Sequence, residues 1–334
     1  MRGLLNDVGD AVDEALDGLL AAHGDRLARW PGHPRVICRA RPKSAGGVGL
    51  AIANGSGHEP IAVGWVGEGL LDANACGDVF TAPPPALVAE AVAAAETGGG
   101  VVLLISNHAG DRMNGELGAE LARAAGHRVE VLVMGDDLAT APPDRRADRR
   151  GAPGTTFAYK VAGAAAEAGA PIEEVVAVGR RVLAATSTLA LTVAAGTSPL
   201  TGRRMAEVPA GEVLVGSGVH GEGGAGRIAM GPADELVDHV VDRLLADLAA
   251  AEDPDVLVLV NGFGATPLLQ LLVVHRRVDA RLRAAGLVPY RPLVAELVTT
   301  ADTAGCSISV ARTDAELRRL WSAPCSAPYF PPVT

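Results

Sequence analysis

The feature that most constrains the fold is a short, uniformly apolar run with a polar loop directly after it. Val101–Ile105 is entirely apolar, three glycines precede it, and Asn107–Asp111 follows it. A strand without polar alternation is typical of the middle of a sheet that helices cover on both faces. Asp255–Val260 repeats the pattern before the loop Asn261–Pro267. The chain is therefore predicted to have a layered α/β fold.

Segments with helical spacing alternate with these strands, which favours two α/β halves. The other predicted strands are 35–38, 49–54, 129–134, 213–215, 292–299 and 307–311. The predicted helices are 6–22, 86–96, 112–125, 155–168, 172–194, 232–252, 268–285 and 314–320. Residues 64–82 and 136–153 are predicted to be irregular. A loop around 199–209 predicts a domain boundary, with domains 1–198 and 199–334.

Composition excludes several classes of protein. Hydrophobic residues make up 49% of the chain and charged residues 20%, which excludes global disorder. Aromatic residues are 3% and the net charge is −10, which argues against nucleic-acid binding. The basic run Asp144–Arg150 is predicted to be a solvated loop. The N-terminus lacks a signal-peptide core, and no run of about 18 apolar residues occurs, so we expect a cytoplasmic protein without a membrane segment.

The four cysteines predict neither a zinc site nor a disulfide framework. Cys38, Cys76, Cys306 and Cys325 are widely scattered and form no CxxC pair. Buried free thiols are the simplest expectation.

Two histidines are framed by glycines. Val213–Arg227 contains His220 among six glycines, and Asn54–Pro60 contains His58 between Gly57 and Glu59. Glycine removes side chains from the neighbourhood, so a ligand can approach the imidazole closely. Together with Asp111 after its buried strand, these side chains suit acid–base or nucleophilic chemistry at neutral pH. Each stretch alone also fits a tight turn with a surface histidine.

These motifs, in this order, resemble the substrate-binding subunit or domain (DhaK) of dihydroxyacetone kinases. The resemblance runs nearly end to end. It is carried by Gly55–Pro60, Val66–Leu70, Cys76–Phe80, Gly110–Asp111, Arg149–Gly151, Lys160–Ala165, Gly218–Glu222, Asn261–Pro267 and Leu320–Pro324. It implies two layered α/β domains with mixed sheets and a homodimer.

The resemblance also implies an activity, that of a ketose kinase subunit. A short-chain ketose such as dihydroxyacetone would be held covalently as a hemiaminal on His220, with Asp111 and His58 as the acid–base pair. Substrate contacts would fall on Gly55, Ser56, Gly57, Ser106, His108 and Gly110. No metal ligand or cofactor is predicted on this chain. ATP and magnesium would be bound by a separate DhaL-type subunit, which would transfer the phosphoryl group to the bound ketose.

The sequence departs from the family pattern at four places. A lysine that helps to bind substrate is replaced by Ser106, and His108 is new. Asn54, Gly223 and the segment Thr300–Cys306 also differ from the usual residues. Losing a cation beside the phosphoryl acceptor weakens electrostatic stabilisation of transfer.

Two alternatives to a kinase subunit therefore stay open. One is a carbonyl-binding sensor or coactivator, which the missing lysine favours and the retained Asp111 disfavours. The other is an enzyme of another class that uses a His220 adduct on a carbonyl compound, which the altered loops favour.

Overall fold

The computed structural model describes residues 4–333 and divides into two compact units. The first unit comprises residues up to Met134, Ala158–Arg180 and the chain from Arg319 onward. The second comprises Gly135–Phe157 and Arg181–Arg318. This division differs from the predicted boundary after residue 198, because strand residues 186–194 belong to the second sheet and the C-terminal residues return to the first unit.

The first unit is built on a six-stranded mixed sheet of order β1-β2-β4-β3-β5-β6. Its strands are β1 (Leu27–Arg29), β2 (Val36–Arg39), β3 (Gly49–Ser56), β4 (Ala73–Val79), β5 (Val101–Ser106) and β6 (Val129–Met134). Its helices include α1 (Ala11–His23), α2 (Pro85–Ala95) and α3 (Ala109–Ala124). Strands β4, β3, β5 and β6 run parallel to one another. Strand β2 pairs antiparallel with β4, and the edge strand β1 pairs antiparallel with β2.

Helices α4 (Thr156–Glu167) and α5 (Ile172–Ala184) follow, and then the strands of the second unit. That unit has a seven-stranded mixed sheet of order β11-β10-β13-β7-β8-β9, with β12 also pairing with β10. Its strands are β7 (Thr186–Ala194), β8 (Glu212–Val215), β9 (Gly226–Ala229), β10 (Asp255–Gly262), β11 (Val288–Pro289), β12 (Leu293–Ala295) and β13 (Ala304–Arg312). The remaining helices are α6 (Ala233–Asp247), α7 (Leu268–Ala284) and α8 (Ala315–Trp321).

Each unit has its own hydrophobic core. In the first, helix α2 packs with β3 and β5 through residues such as Leu87, Val92 and Leu103. In the second, helices α6 and α7 cover β10 and β13 through residues such as Leu244 and Val258. Val101–Ile105 in β5 and Val256–Val260 in β10 are apolar throughout and buried, as is typical of strands covered on both faces. The predicted α/β class with mixed sheets is confirmed.

All four cysteines are buried and free, as predicted. Among the described residues, 4–333, no helix is both long and apolar enough to cross a membrane.

Candidate functional site

The predicted site residues of the first unit lie at one edge of its sheet. Strands β3 and β5 are parallel neighbours, so their carboxyl ends meet at the same edge. Residues 55–58 include the end of β3, and residues 106–111 run from the end of β5 into α3. Ligand crevices of open α/β sheets lie at such edges. The structure therefore brings these two predicted segments to a common edge.

His58 is buried against an aromatic ring. The residue is 8% exposed, and its ring centroid lies 4.9 Å from that of Phe80. Gly57 makes this packing possible because it has φ +98°, and a Cβ there would lie 2.8 Å from the Phe80 ring. The packing fixes the direction in which the imidazole points.

The two residues before Gly57 hold the loop in place. Ser56 donates a 2.8 Å hydrogen bond from its buried hydroxyl to the carbonyl of Gly77. A Cβ on Gly55 would lie 2.7 Å from the backbone nitrogen of Thr81, so the two backbones can approach only with glycine there. These contacts give Gly55 and Ser56 a structural reason to be present.

A second group forms at the start of α3. His108 Nδ1 lies 2.9 Å from Ser106 Oγ and 3.9 Å from Asp111 Oδ2. Asp111 is in the first turn of the helix, where the aligned peptide dipoles favour a negative charge. The side chains of His108 and Asp111 are 18% and 15% exposed, so water screens their interaction weakly. Gly110 lies between them in the first turn of α3.

His220 lies in the second unit, in the connection between β8 and β9. Its side chain is 31% exposed. The carboxylate of Glu222 contacts it twice, accepting the backbone N–H at 2.9 Å through Oε2 and lying 2.9 Å from Nδ1 through Oε1. Burial raises the pKa of Glu222, but the hydrogen bonds from His220 outweigh burial and hold that pKa well below its usual range. Glu222 is therefore an anion at neutral pH.

Arg150 lies near Oε2 of the Glu222 carboxylate. Its Nη2 donates to Asp137 Oδ2 at 2.6 Å and to the carbonyl of Gly216 at 3.0 Å, and its Nη1 lies 3.9 Å from Glu222 Oε2. The loop is also held from β7, since the hydroxyls of Thr192 and Ser217 lie 2.8 Å apart in a buried position.

Three of these contacts were not predicted. Phe80 beside His58 has no local signal, because it follows a strand in a segment predicted to be irregular. Glu222 had a visible signal, since a carboxylate two residues beyond a histidine in a glycine-rich turn can fold back onto the ring. Arg150 falls in the run predicted to be a solvated loop.

That solvated-loop prediction is wrong for part of the run. Arg149 is 1% exposed, and its guanidinium makes two hydrogen bonds to the carboxylate of Asp247 at 2.6 and 2.7 Å. Arg146 also contacts Asp247, at 2.8 Å. The partner lies about 100 residues further along the chain, so the local charge pattern could not reveal it.

Comparison with known proteins identifies the family. The family model described as the Dak1 domain matches residues 17–329. The PTS-dependent dihydroxyacetone kinase 2, dihydroxyacetone-binding subunit DhaK, of Listeria innocua is 36% identical over 99% of this chain and 99% of its own length.

Two solved structures have closely similar folds. The dihydroxyacetone kinase from C. freundii in complex with AMP-PNP and Mg²⁺ has a TM-score of 0.87 and 29% identity over 99% of this chain. This chain spans 61% of the length of that kinase. The dihydroxyacetone kinase operon co-activator DhaQ has a TM-score of 0.88 and 26% identity, over 95% of this chain and 97% of its own.

A family model that covers most of the chain agrees with a relative that matches over nearly its full length. The chain belongs to the Dak1 domain family, with the DhaK subunits of dihydroxyacetone kinases among its relatives.

Proposed function

We propose that this chain is the ketose-binding subunit of a dihydroxyacetone-kinase-type phosphotransferase. It holds dihydroxyacetone or a related short-chain ketose, such as a tetrulose, as a hemiaminal on His220. It then presents the terminal hydroxyl of that ketose to a DhaL-type partner. The observation that carries the proposal is a partly exposed imidazole in a glycine-rich loop, at the position that the family resemblance assigns to the tether.

The tethering step is an addition to a carbonyl. A ring nitrogen of neutral His220 forms a bond to the carbonyl carbon, the C=O π bond breaks, and its electron pair moves to oxygen. A proton passes, in net terms, from the ring to that oxygen, so the hemiaminal is neutral overall. No oxidant or leaving group is needed. Covalent capture selects carbonyl compounds over plain polyols, which cannot form the bond.

The acid–base roles in this proposal fall on Asp111 and His58. Asp111 accepts the proton of the terminal hydroxyl as its oxygen attacks phosphorus, and His58 assists the carbonyl addition. The phosphoryl group comes from ATP, or from a phosphotransferase chain, through the partner. The partner supplies the nucleotide and magnesium, and this chain works as a homodimer.

Carbon NMR with [2-¹³C]dihydroxyacetone tests the tether directly. We expect the carbonyl resonance to move to the tetrahedral range on adding the protein, and to stay at the ketone position with His220→Asn. His127→Asn, at a partly exposed histidine elsewhere in the chain, is the matched control and should behave like the wild type. If the wild-type protein leaves the ketone resonance unchanged, both with dihydroxyacetone and with tetruloses, the proposal is refuted.

A second function is favoured by the similarity to the co-activator DhaQ. In that case this chain captures the ketose without passing it to a kinase partner. The two functions separate when the adduct is incubated with a DhaL-type partner, magnesium and ATP. Phosphorylated ketose supports the kinase subunit, whereas a stable adduct without product supports the coactivator.

A further inference from the structure

We propose that Glu222 is a positioning residue that selects the reactive tautomer of His220. This inference rests on the proposed function, in which His220 is the nucleophile. Neutral imidazole has one N–H and one lone pair, and the hydrogen bond at one nitrogen decides which nitrogen is free to react. Glu222 makes that hydrogen bond.

The geometry assigns the proton to Nδ1. An ionised carboxylate accepts hydrogen bonds and cannot donate them. At 2.9 Å from Glu222 Oε1, Nδ1 must therefore carry the proton. The lone pair then lies on Nε2, which makes Nε2 the nitrogen that attacks the carbonyl carbon.

The carboxylate cannot easily turn to a different arrangement. Oε2 accepts the backbone N–H of His220 at 2.9 Å and lies 3.9 Å from Arg150 Nη1. Arg150 is itself held by Asp137. Gly218 leaves room for the pair, because a Cβ there would lie 2.1 Å from Glu222 Oε2 and 2.5 Å from Arg150 Nη1.

The same contact assists the addition. As Nε2 forms its bond to carbon, positive charge develops on the ring, and the carboxylate against Nδ1–H stabilises that charge. The ring proton then passes, in net terms, to the former carbonyl oxygen. Glu222 acts through His220 and touches no substrate atom in this scheme.

Glu222→Gln gives a sharp test because the amide has one oxygen where the carboxylate has two. The backbone N–H of His220 and the guanidinium of Arg150 both favour the amide oxygen at the Oε2 position. The amide NH₂ then faces Nδ1 and donates to it, so Nδ1 must give up its proton. We expect the His220 ring to switch from the Nδ1–H to the Nε2–H tautomer.

The readout is the ¹⁵N spectrum of histidine-labelled protein, in which protonated and unprotonated ring nitrogens differ. The His220 signals are assigned as those missing from His220→Asn. We expect Nδ1 protonated in the wild type and Nε2 protonated in Glu222→Gln. The rate of adduct formation should fall in that variant by about 10²–10⁴-fold, the range that loss of a correctly oriented base produces.

Glu212→Gln is the matched control, since Glu212 opens β8 and lies 3.6 Å from Arg227 rather than beside the histidine. It should keep the wild-type tautomer and rate. An Nε2–H ring in the wild type, or the same pattern in Glu222→Gln as in the wild type, would overturn the inference.

The two proposals fail in different ways. If the wild type forms no adduct with any ketose, the proposed function is wrong. The ¹⁵N spectra still determine which tautomer the His220 ring adopts. If the adduct forms at the wild-type rate in Glu222→Gln, the tether stands and the positioning role of Glu222 is wrong.

Discussion

Asp111 lies in the first turn of α3, beside the imidazole of His108. If it is the base for phosphoryl transfer, Asp111→Asn should keep the ketose adduct and lower the transfer rate by about 10²–10⁴-fold. Carbon NMR measures the adduct, and product formation with a DhaL-type partner measures transfer. Asp144→Asn, at an exposed carboxylate, is the control. Equal transfer rates in both variants would exclude Asp111 as the base.

Gly57 leaves space for the Phe80 ring, against which His58 packs. Gly57→Ala combines left-handed backbone with a Cβ 2.8 Å from the Phe80 ring, so we expect it to cost more than the backbone strain alone, which is about 1–3 kcal/mol. Gly126→Ala is a matched control, with φ +95° and open space around its Cβ.

Urea denaturation of the two variants separates crowding from backbone strain. A lower free energy of unfolding in Gly57→Ala than in Gly126→Ala would confirm the crowding. Equal losses would mean that the Phe80 ring moves aside without cost.

At the scale of the element, a buried carboxyl joins the start of the 153–155 helical turn to β7. Asp136 is fully buried and accepts a hydrogen bond from the backbone N–H of Ala152 at 2.6 Å. Thr188 Oγ1 contacts both Asp136 and, at 2.8 Å, Ser309 Oγ. The Thr188 hydroxyl can donate to an ionised Asp136 while it accepts from Ser309, or accept from a protonated Asp136 while it donates to Ser309. The burial of Asp136 therefore decides its protonation state.

Burial raises the pKa of Asp136 to about 8. The folded state therefore holds this proton more tightly than the unfolded chain, whose Asp pKa is about 3.9. The resulting stability is fully present below about pH 4 and is lost as the pH rises through about 8. In that window we expect the free energy of unfolding to fall with pH, by at most about 1.4 kcal/mol per unit from one group.

Asp136→Asn should remove this slope, because the amide reproduces the hydrogen bonds of the protonated acid and does not titrate. Urea denaturation at several pH values between 5 and 8 measures it, with Asp144→Asn as the control. Parallel pH profiles for the wild type and Asp136→Asn would show that Asp136 is ionised.

Elements with a strong local pattern were predicted well. The apolar runs in β5 and β10 and the periodic helices α4 and α7 agree with the structure within a few residues. The helix predicted for 172–194 is wrong in its second half, where Thr186–Ala194 is a strand. Pairing with β13 and β8 makes that segment a strand. Three of its first seven residues are threonines, whose β-branched side chains suit a sheet.

Contacts between distant segments could not be predicted from the sequence. Strand β4 lies in the segment predicted to be irregular, because its alanines and glycine give no hydrophobic signal, and pairing with β2 and β3 stabilises it. The positions of His58, Asp111 and His220 after strands could be predicted, because the strands and the glycines beside them are recognisable in the sequence. The orientation of each imidazole could not, since it depends on Phe80 and on the pairing of Glu222 with Arg150.

At the scale of the whole molecule, the C-terminal residues complete the core of the first unit. The Phe330 ring lies edge-on to Trp65, with centroids 5.5 Å apart, and Trp65 is fully buried. Phe330→Ala should lower the free energy of unfolding by about 3–5 kcal/mol. Tyr329→Ala, at the half-exposed neighbour, should cost clearly less. Thermal and urea denaturation compare the two, and equal small losses would mean that the C-terminal segment contributes little to this core.

The return of the chain to the first unit also sets an order of events during synthesis. The sheet of that unit is complete at Met134, but residues from Arg319 onward belong to the same compact body. At about 5–20 residues per second, some 10–40 seconds separate the two on the ribosome. During that interval the indole of Trp65 lacks its contact with the Phe330 ring. The nascent N-terminal portion therefore exposes an apolar surface that a chaperone can bind.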